Sequence, residues 1–149
     1  VTHDQEEAFV LGDQVAVMNS GRIEQVDTPH EIYTAPASRW VAQFVGEASL
    51  VSGTANGWQV ATALGDLALE SPHDGAVDVL VRPEQLSIGQ TGESAIVDSV
   101  EFYGHDAMVY VRLDGQRVRV RTAPEVKVRR GDEVNVAFAG HSVRAFPTG

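Results

Sequence analysis

The fold class that the sequence predicts is mainly β, with a short α/β remnant in front of a domain of many short strands. Three observations carry this. Composition changes near residue 48, because residues 1–48 hold eight acids and two arginines and alternate helix-like with strand-like segments. From residue 49 onward glycines recur, valine is abundant, and alternating segments of five to eight residues follow one another. The strongest short-range hairpin dipeptides, Asn56-Gly57 and Asp114-Gly115, fall between such alternations. The chain is therefore divided into residues 1–48 and 49–149.

In the first part, Asp4 to Leu11 reads as a helix ended by Gly12-Asp13. Gln14–Met18 and Arg22–Val26 read as two strands joined at Asn19-Ser20-Gly21, where glycine tolerates a positive φ. Thr28-Pro29-His30-Glu31 reads as a capping box, with proline at the first helical position, where its missing N–H costs nothing. Ser38 caps a last helix whose Trp40, Val41, Phe44 and Val45 form one apolar stripe, ended by Gly46. These elements are too few to enclose a core by themselves and are expected to need a missing neighbour.

In the second part the candidate strands are 50–55, 58–63, 67–71, 76–82, 95–102, 107–113, 117–122, 133–138 and 142–146. Turns are expected at Asn56-Gly57, Leu64-Gly65-Asp66, His73-Asp74-Gly75, Asp114-Gly115 and Arg130-Gly131-Asp132. Pro83 should end the strand before it, since proline cannot donate within a central ladder. Strands this short and this many suggest a small OB-like barrel or a sandwich. Trp58 is expected in the core.

Whole-chain properties narrow the function. The 149 residues suffice for one domain, or one domain and a fragment. A net charge of −10 argues against a nucleic-acid or anionic-membrane partner. With no cysteine there is no disulfide framework and no thiolate metal site. No apolar run approaches the roughly 20 residues that span a bilayer, and no secretory signal opens the chain.

VTHDQEEA, followed by DQVAVMNSGRIEQVDTPHEIYTAPASRWVAQFVGE, resembles the end of the nucleotide-binding domain of ABC importer ATPase subunits. It is most similar to the maltose, sulfate, polyamine and ferric-iron branch, whose subunits carry a C-terminal β domain called TOBE. VRPEQLSI (81–88), VEFYGHDAMVYVRL (100–113) and Val143-Arg144-Ala145-Phe146 extend the likeness, more loosely, into the β half. Asp27 departs from the glycine usual in the family. The resemblance implies a fold of an ABC-domain tail (1–48) and a TOBE regulatory domain (49–149). It implies ATP and Mg²⁺ as cofactors of a parent subunit, and a second copy, transmembrane permease subunits and, indirectly, a substrate-binding protein as partners. The implied location is the cytoplasmic face of the cell membrane. Ferric iron is the favoured cargo, with sulfate/thiosulfate or polyamine next.

The resemblance also gives His3 the role of the switch histidine, set to reach the γ-phosphate and the attacking water; an imidazole can donate to a phosphate oxygen and sense its presence. A phosphate cradle needs G-x-x-x-x-G-K-[ST], whereas the chain has one lysine, Lys127, between Val126 and Val128. The family's LSGGQ segment and acidic strand end are also missing. The chain by itself is expected to be inactive, with His3 completing a site formed upstream, and no cofactor or metal is expected on it alone.

Arg117, Arg119 and Arg121 alternate with Val118 and Val120, which puts three guanidinium groups on one strand face. Residues 112–130 hold six arginines and one lysine against Asp114 and Glu125, a local +5 in an acidic chain. This face suits an acidic partner surface, such as the same domain in a second subunit, or is a solvated face that discourages edge pairing. His105-Asp106 would bind a metal only with partners brought by folding. Two other readings stay open: a stand-alone module binding a small ligand such as an oxyanion, and an independent enzyme using His3 and nearby carboxylates.

Overall fold

The computed structural model describes residues 13–148. The chain divides into two compact units, Val1–Glu47 and Ala48–Gly149. His3 and the expected helix over residues 4–11 lie outside the described residues.

In the first unit, β1 (Val15–Asn19) and β2 (Arg22–Asp27) pair antiparallel. Their turn places Ser20 at φ 51° and Gly21 at φ 79°, the two successive positive values that match the twist of a two-residue hairpin. Helix α1 (Pro29–Thr34) is capped by Thr28, whose Oγ1 accepts from the Glu31 N–H at 3.2 Å. Helix α2 (Arg39–Phe44) is capped by Ser38, whose Oγ accepts from the Val41 N–H at 3.2 Å. Both caps and the proline at the start of α1 sit where the sequence puts them. The expected apolar stripe divides instead. Val41 and Val45 join Val17 and Ile32 in a small core, whereas Trp40 and Phe44 stack on each other 4.7 Å apart and remain 36% and 43% exposed. Only the Val41 and Val45 side of the stripe meets the other described elements.

The second unit is antiparallel throughout its named ladders. A three-stranded sheet has the order β10-β4-β3, and a five-stranded sheet the order β5-β9-β6-β7-β8, curled into a half-barrel. The strands are β3 (Ser49–Thr62), β4 (Gly65–Val81), β5 (Leu86–Gly89), β6 (Glu93–Phe102), β7 (Ala107–Leu113), β8 (Gln116–Thr122), β9 (Glu133–Phe138) and β10 (Ala145–Pro147). This is the mainly β, OB-like architecture the sequence predicts. The hairpin at Asp114-Gly115 is present, with φ 51° and 76°, and β7 and β9 have the expected bounds. Val81 ends β4 two residues before Pro83, which opens a single 3-10 turn over Pro83–Gln85.

The main departure concerns the first four expected strands, which are two long ones. Asn56-Gly57 and His73-Asp74-Gly75 are not turns between strands. They lie opposite one another, Asn56 with Asp74 and Gly57 with His73, so both strands bend together at one corner. The Gly57 N–H donates to Asp74 Oδ1 at 3.2 Å. Beyond the corner the register shifts between Gly57 and Gln59, and β3 coils back on itself. A Cβ on Gly53 would lie 2.6 Å from Val60 Cγ2 and 2.8 Å from the Ala61 carbonyl, so glycine permits that close approach. The bend lets Val60, Leu64 and Leu67 reach the same core as Val97, Val109 and Val136. Trp58 sits at the corner and is 61% exposed, not buried as the sequence suggests. A strand over 86–89 goes unforeseen because Leu86-Ser87-Ile88 is too short to show a period.

Candidate functional site

The outward face of β7 and β8 holds the described candidate residues. Val118 and Val120 are 1% and 0% exposed, which forces Arg117, Arg119 and Arg121 to the other side of the strand, as alternation requires. Cross-strand pairing sets Tyr110 against Arg119, Arg112 against Arg117, and Met108 against Arg121. The Arg117 guanidinium lies 4.3 Å from the Tyr110 ring centroid and that of Arg119 lies 5.8 Å away, so one ring carries two cations.

Two carboxylates that the sequence keeps at a distance enter this face. A register shift between Val97 and Ser99 carries Asp98 to the outside. Asp98 Oδ2 there forms ion pairs with Arg112 Nε at 3.3 Å and Arg117 Nε at 3.4 Å. At the far end Asp106 Oδ2 accepts from Arg121 Nη1 at 2.7 Å, and Asp106 Oδ1 lies 3.4 Å from His105 Nε2. The face is therefore a mixed-sign lattice with an aromatic centre, not three bare cations. Half-exposed pairs of this kind are each worth only about 0–1 kcal/mol. Their chief effect is to fix where the guanidinium groups point.

The other sequence candidates remain apart. His105 is 82% exposed by side chain, with its Nε2 3.4 Å from the neighbouring Asp106 carboxylate. Among the described residues no three His, Asp or Glu side chains converge on a point that could hold a metal ion. Lys127 is exposed on the β8–β9 connection, while its neighbours Val126 and Val128 pack against the core. Among the described residues nothing fits the cradle of a triphosphate. Sequence reasoning missed Arg82, which is 4% exposed. Its N–H donates to Gln85 Oε1 at 2.9 Å, and the Ala139 N–H donates to the Gln85 carbonyl at 2.8 Å, locking the 3-10 turn to the end of β9. Arg-Pro-x-Gln after an apolar strand was the available signal: proline starts the turn and glutamine closes it. Among the described residues no helix is long and apolar enough to cross a membrane.

Residues 79–146 match the profile of the TOBE domain, in keeping with the half-barrel and its polar, arginine-rich outer face. The relatives of the whole chain are ATP-binding proteins of importers. The Fe(3+) ions import ATP-binding protein FbpC 1 of Rhodococcus jostii is 38% identical over 156 residues, covering 99% of this chain and 45% of the relative. The spermidine/putrescine import ATP-binding protein PotA of Mesorhizobium japonicum is 38% identical over 164 residues, covering 98% and 45%. The sulfate/thiosulfate import ATP-binding protein CysA 2 of Chromobacterium violaceum is 36% identical over 163 residues, covering 99% and 44%. The chain thus spans a little under half the length of these relatives.

Proposed function

We propose that this chain is the C-terminal regulatory and dimerising part of the ATP-hydrolysing subunit of an ABC importer, with ferric iron as the favoured cargo. The observation that carries this reading is similarity along 98–99% of the chain to importer ATP-binding proteins of three cargo classes. Residues 1–48 are the tail of the nucleotide-binding domain and residues 49–149 the regulatory β domain. ATP with Mg²⁺ binds in the parent subunit, at the cytoplasmic face of the membrane beside permease subunits. The described residues do not fit that nucleotide, so no hydrolytic step is assigned to them.

His3 is the switch histidine of the parent site, donating to a γ-phosphate oxygen. In the parent subunit His3→Ala should lower ATP turnover by about 100-fold or more while leaving ATP binding within a few-fold. Turnover kinetics and equilibrium nucleotide binding check this, and loss of binding would mean a structural role. The 149-residue chain alone should hydrolyse no ATP.

The β domain pairs with a second copy through the Arg117, Arg119 and Arg121 face. That face carries Asp98 and Asp106 beside its arginines, so a two-fold pairing can match opposite charges across the axis. Sedimentation of residues 49–149 at tens of micromolar should show dimer, and monomer alone would count against this pairing. The mixed sign of this face argues against the oxyanion-module reading, which would want a basic or glycine-lined pocket.

A further inference from the structure

We propose that Ser49 and Gln116 form a clasp that closes the free backbone edges of β3 and β8 against each other, and so directs a second copy to the arginine face. This rests on the dimer reading above and specifies how the two copies pair.

Both strands stand at the end of a sheet. β3 ends the order β10-β4-β3, and β8 ends the order β5-β9-β6-β7-β8. Among the described residues β3 has a ladder with β4 alone and β8 with β7 alone. An end strand offers a row of N–H and C=O groups on which another chain can add a strand. Here the two edges meet one another instead.

The start of β3 lies along the first half of β8 and runs in the opposite direction. The Arg119 N–H donates to Ser49 Oγ at 3.2 Å, and the Ser52 N–H donates to Gln116 Oε1 at 2.7 Å. Each strand thus gives one backbone donor and one side-chain acceptor. A side chain stands where a ladder would have a carbonyl, so the two sheets stay separate while these edge donors are satisfied. Ser49 is 6% exposed, whereas serines mostly lie outside. Removing its hydroxyl would leave the Arg119 N–H facing a buried position without its acceptor, the more damaging way to break a hydrogen bond.

The clasp engages the residues that build the candidate face. From Gln116 to Arg119 the backbone edge of β8 is occupied in the plane of the sheet, whereas the side chains stand off that plane. There the guanidinium groups of Arg117 and Arg119 lie 4.3 and 5.8 Å from the Tyr110 ring centroid. A second copy approaching β8 therefore meets Arg117, Arg119 and the paired Asp98, not an open ladder. Pairing of that kind is electrostatic and weakens with salt, unlike strand addition.

Amide hydrogen exchange and sedimentation of the 149-residue chain test this together. In the wild type the Arg119 amide should exchange slowly, and equally slowly when the dimer is diluted to monomer, because β3 covers it and the partner does not. Ser49→Ala should quicken exchange at Arg119 by at least about tenfold while leaving Val109 and Val120 unchanged. Ser49→Thr, which keeps the hydroxyl, should restore slow exchange. Gln116→Ala, at a half-exposed side chain, should quicken exchange at Ser52 and carries the test if Ser49→Ala loses the fold by circular dichroism. With both acceptors removed, sedimentation should show association beyond a dimer that salt does not weaken. Faster Arg119 exchange on dilution of the wild type would put the partner on the edge and overturn the proposal. Unchanged exchange in Ser49→Ala and Gln116→Ala would overturn the clasp while leaving the dimer reading standing. A wild type that is monomeric at every concentration would end the dimer reading and, with it, the direction of a partner.

Discussion

The two units make opposite use of their apolar residues. Residues 48–149 gather a core of nineteen buried residues drawn from both sheets. Residues 13–47 gather a small cluster of Val17, Ile32, Val41 and Val45, while Met18, Ile23 and Val26 on the β1–β2 hairpin are 54%, 61% and 50% exposed. Trp40 and Phe44 are stacked but half in solvent. An isolated two-stranded hairpin with two short helices lies below the size at which a core sustains itself. The β unit gathers one large core, whereas the described part of the first unit gathers a small one.

The sharpest way to break this contrast is to separate the units. Residues 49–149 alone should unfold in one cooperative urea transition, whereas residues 1–47 alone should show no transition by circular dichroism. A cooperative transition for residues 1–47 would end the comparison. Next in size is Leu113→Ala, at a side chain 2% exposed in the β unit. It should cost about 2–5 kcal/mol of unfolding free energy, read as a lower urea midpoint at constant slope. The smallest effect belongs to Ile23→Ser, which should shift the stability of the 149-residue chain by no more than about 0.5 kcal/mol. In the parent subunit the same change should be several times more costly if the hairpin face is covered there. Equal small effects in both contexts would show that face to be ordinary surface.

Much of the β unit was legible because its signals are local. Asp114-Gly115 specifies a two-residue turn whichever strands flank it, and the alternation of Val118 and Val120 with three arginines leaves one possible inward face. The corner at Gly57 was not legible for the opposite reason. Asn56-Gly57 and His73-Asp74-Gly75 carry the same dipeptide chemistry as true turns, and only their pairing across a ladder converts two chain reversals into one shared bend. Trp58 was misread with them, since a residue at the outside of a corner loses the inward direction its strand would otherwise impose.

The candidate arginine face divides along the same line. By itself the sequence determined the local matters: the caps at Thr28 and Ser38, the halt at Pro83, the side of β8 on which the arginines stand, and the likeness to importer ATP-binding proteins. Only the tertiary structure decided what those arginines meet. The bulge at Asp98 and the loop at Asp106 bring carboxylates 15 to 19 residues away in sequence within 3.4 Å of guanidinium nitrogens. The clasp between β3 and β8 was likewise beyond sequence, because what caps a strand edge depends on which distant segment the fold lays beside it. Backbone dihedrals and side-chain alternation are properties of a few adjacent residues, whereas partners across a sheet are set by how the whole chain closes.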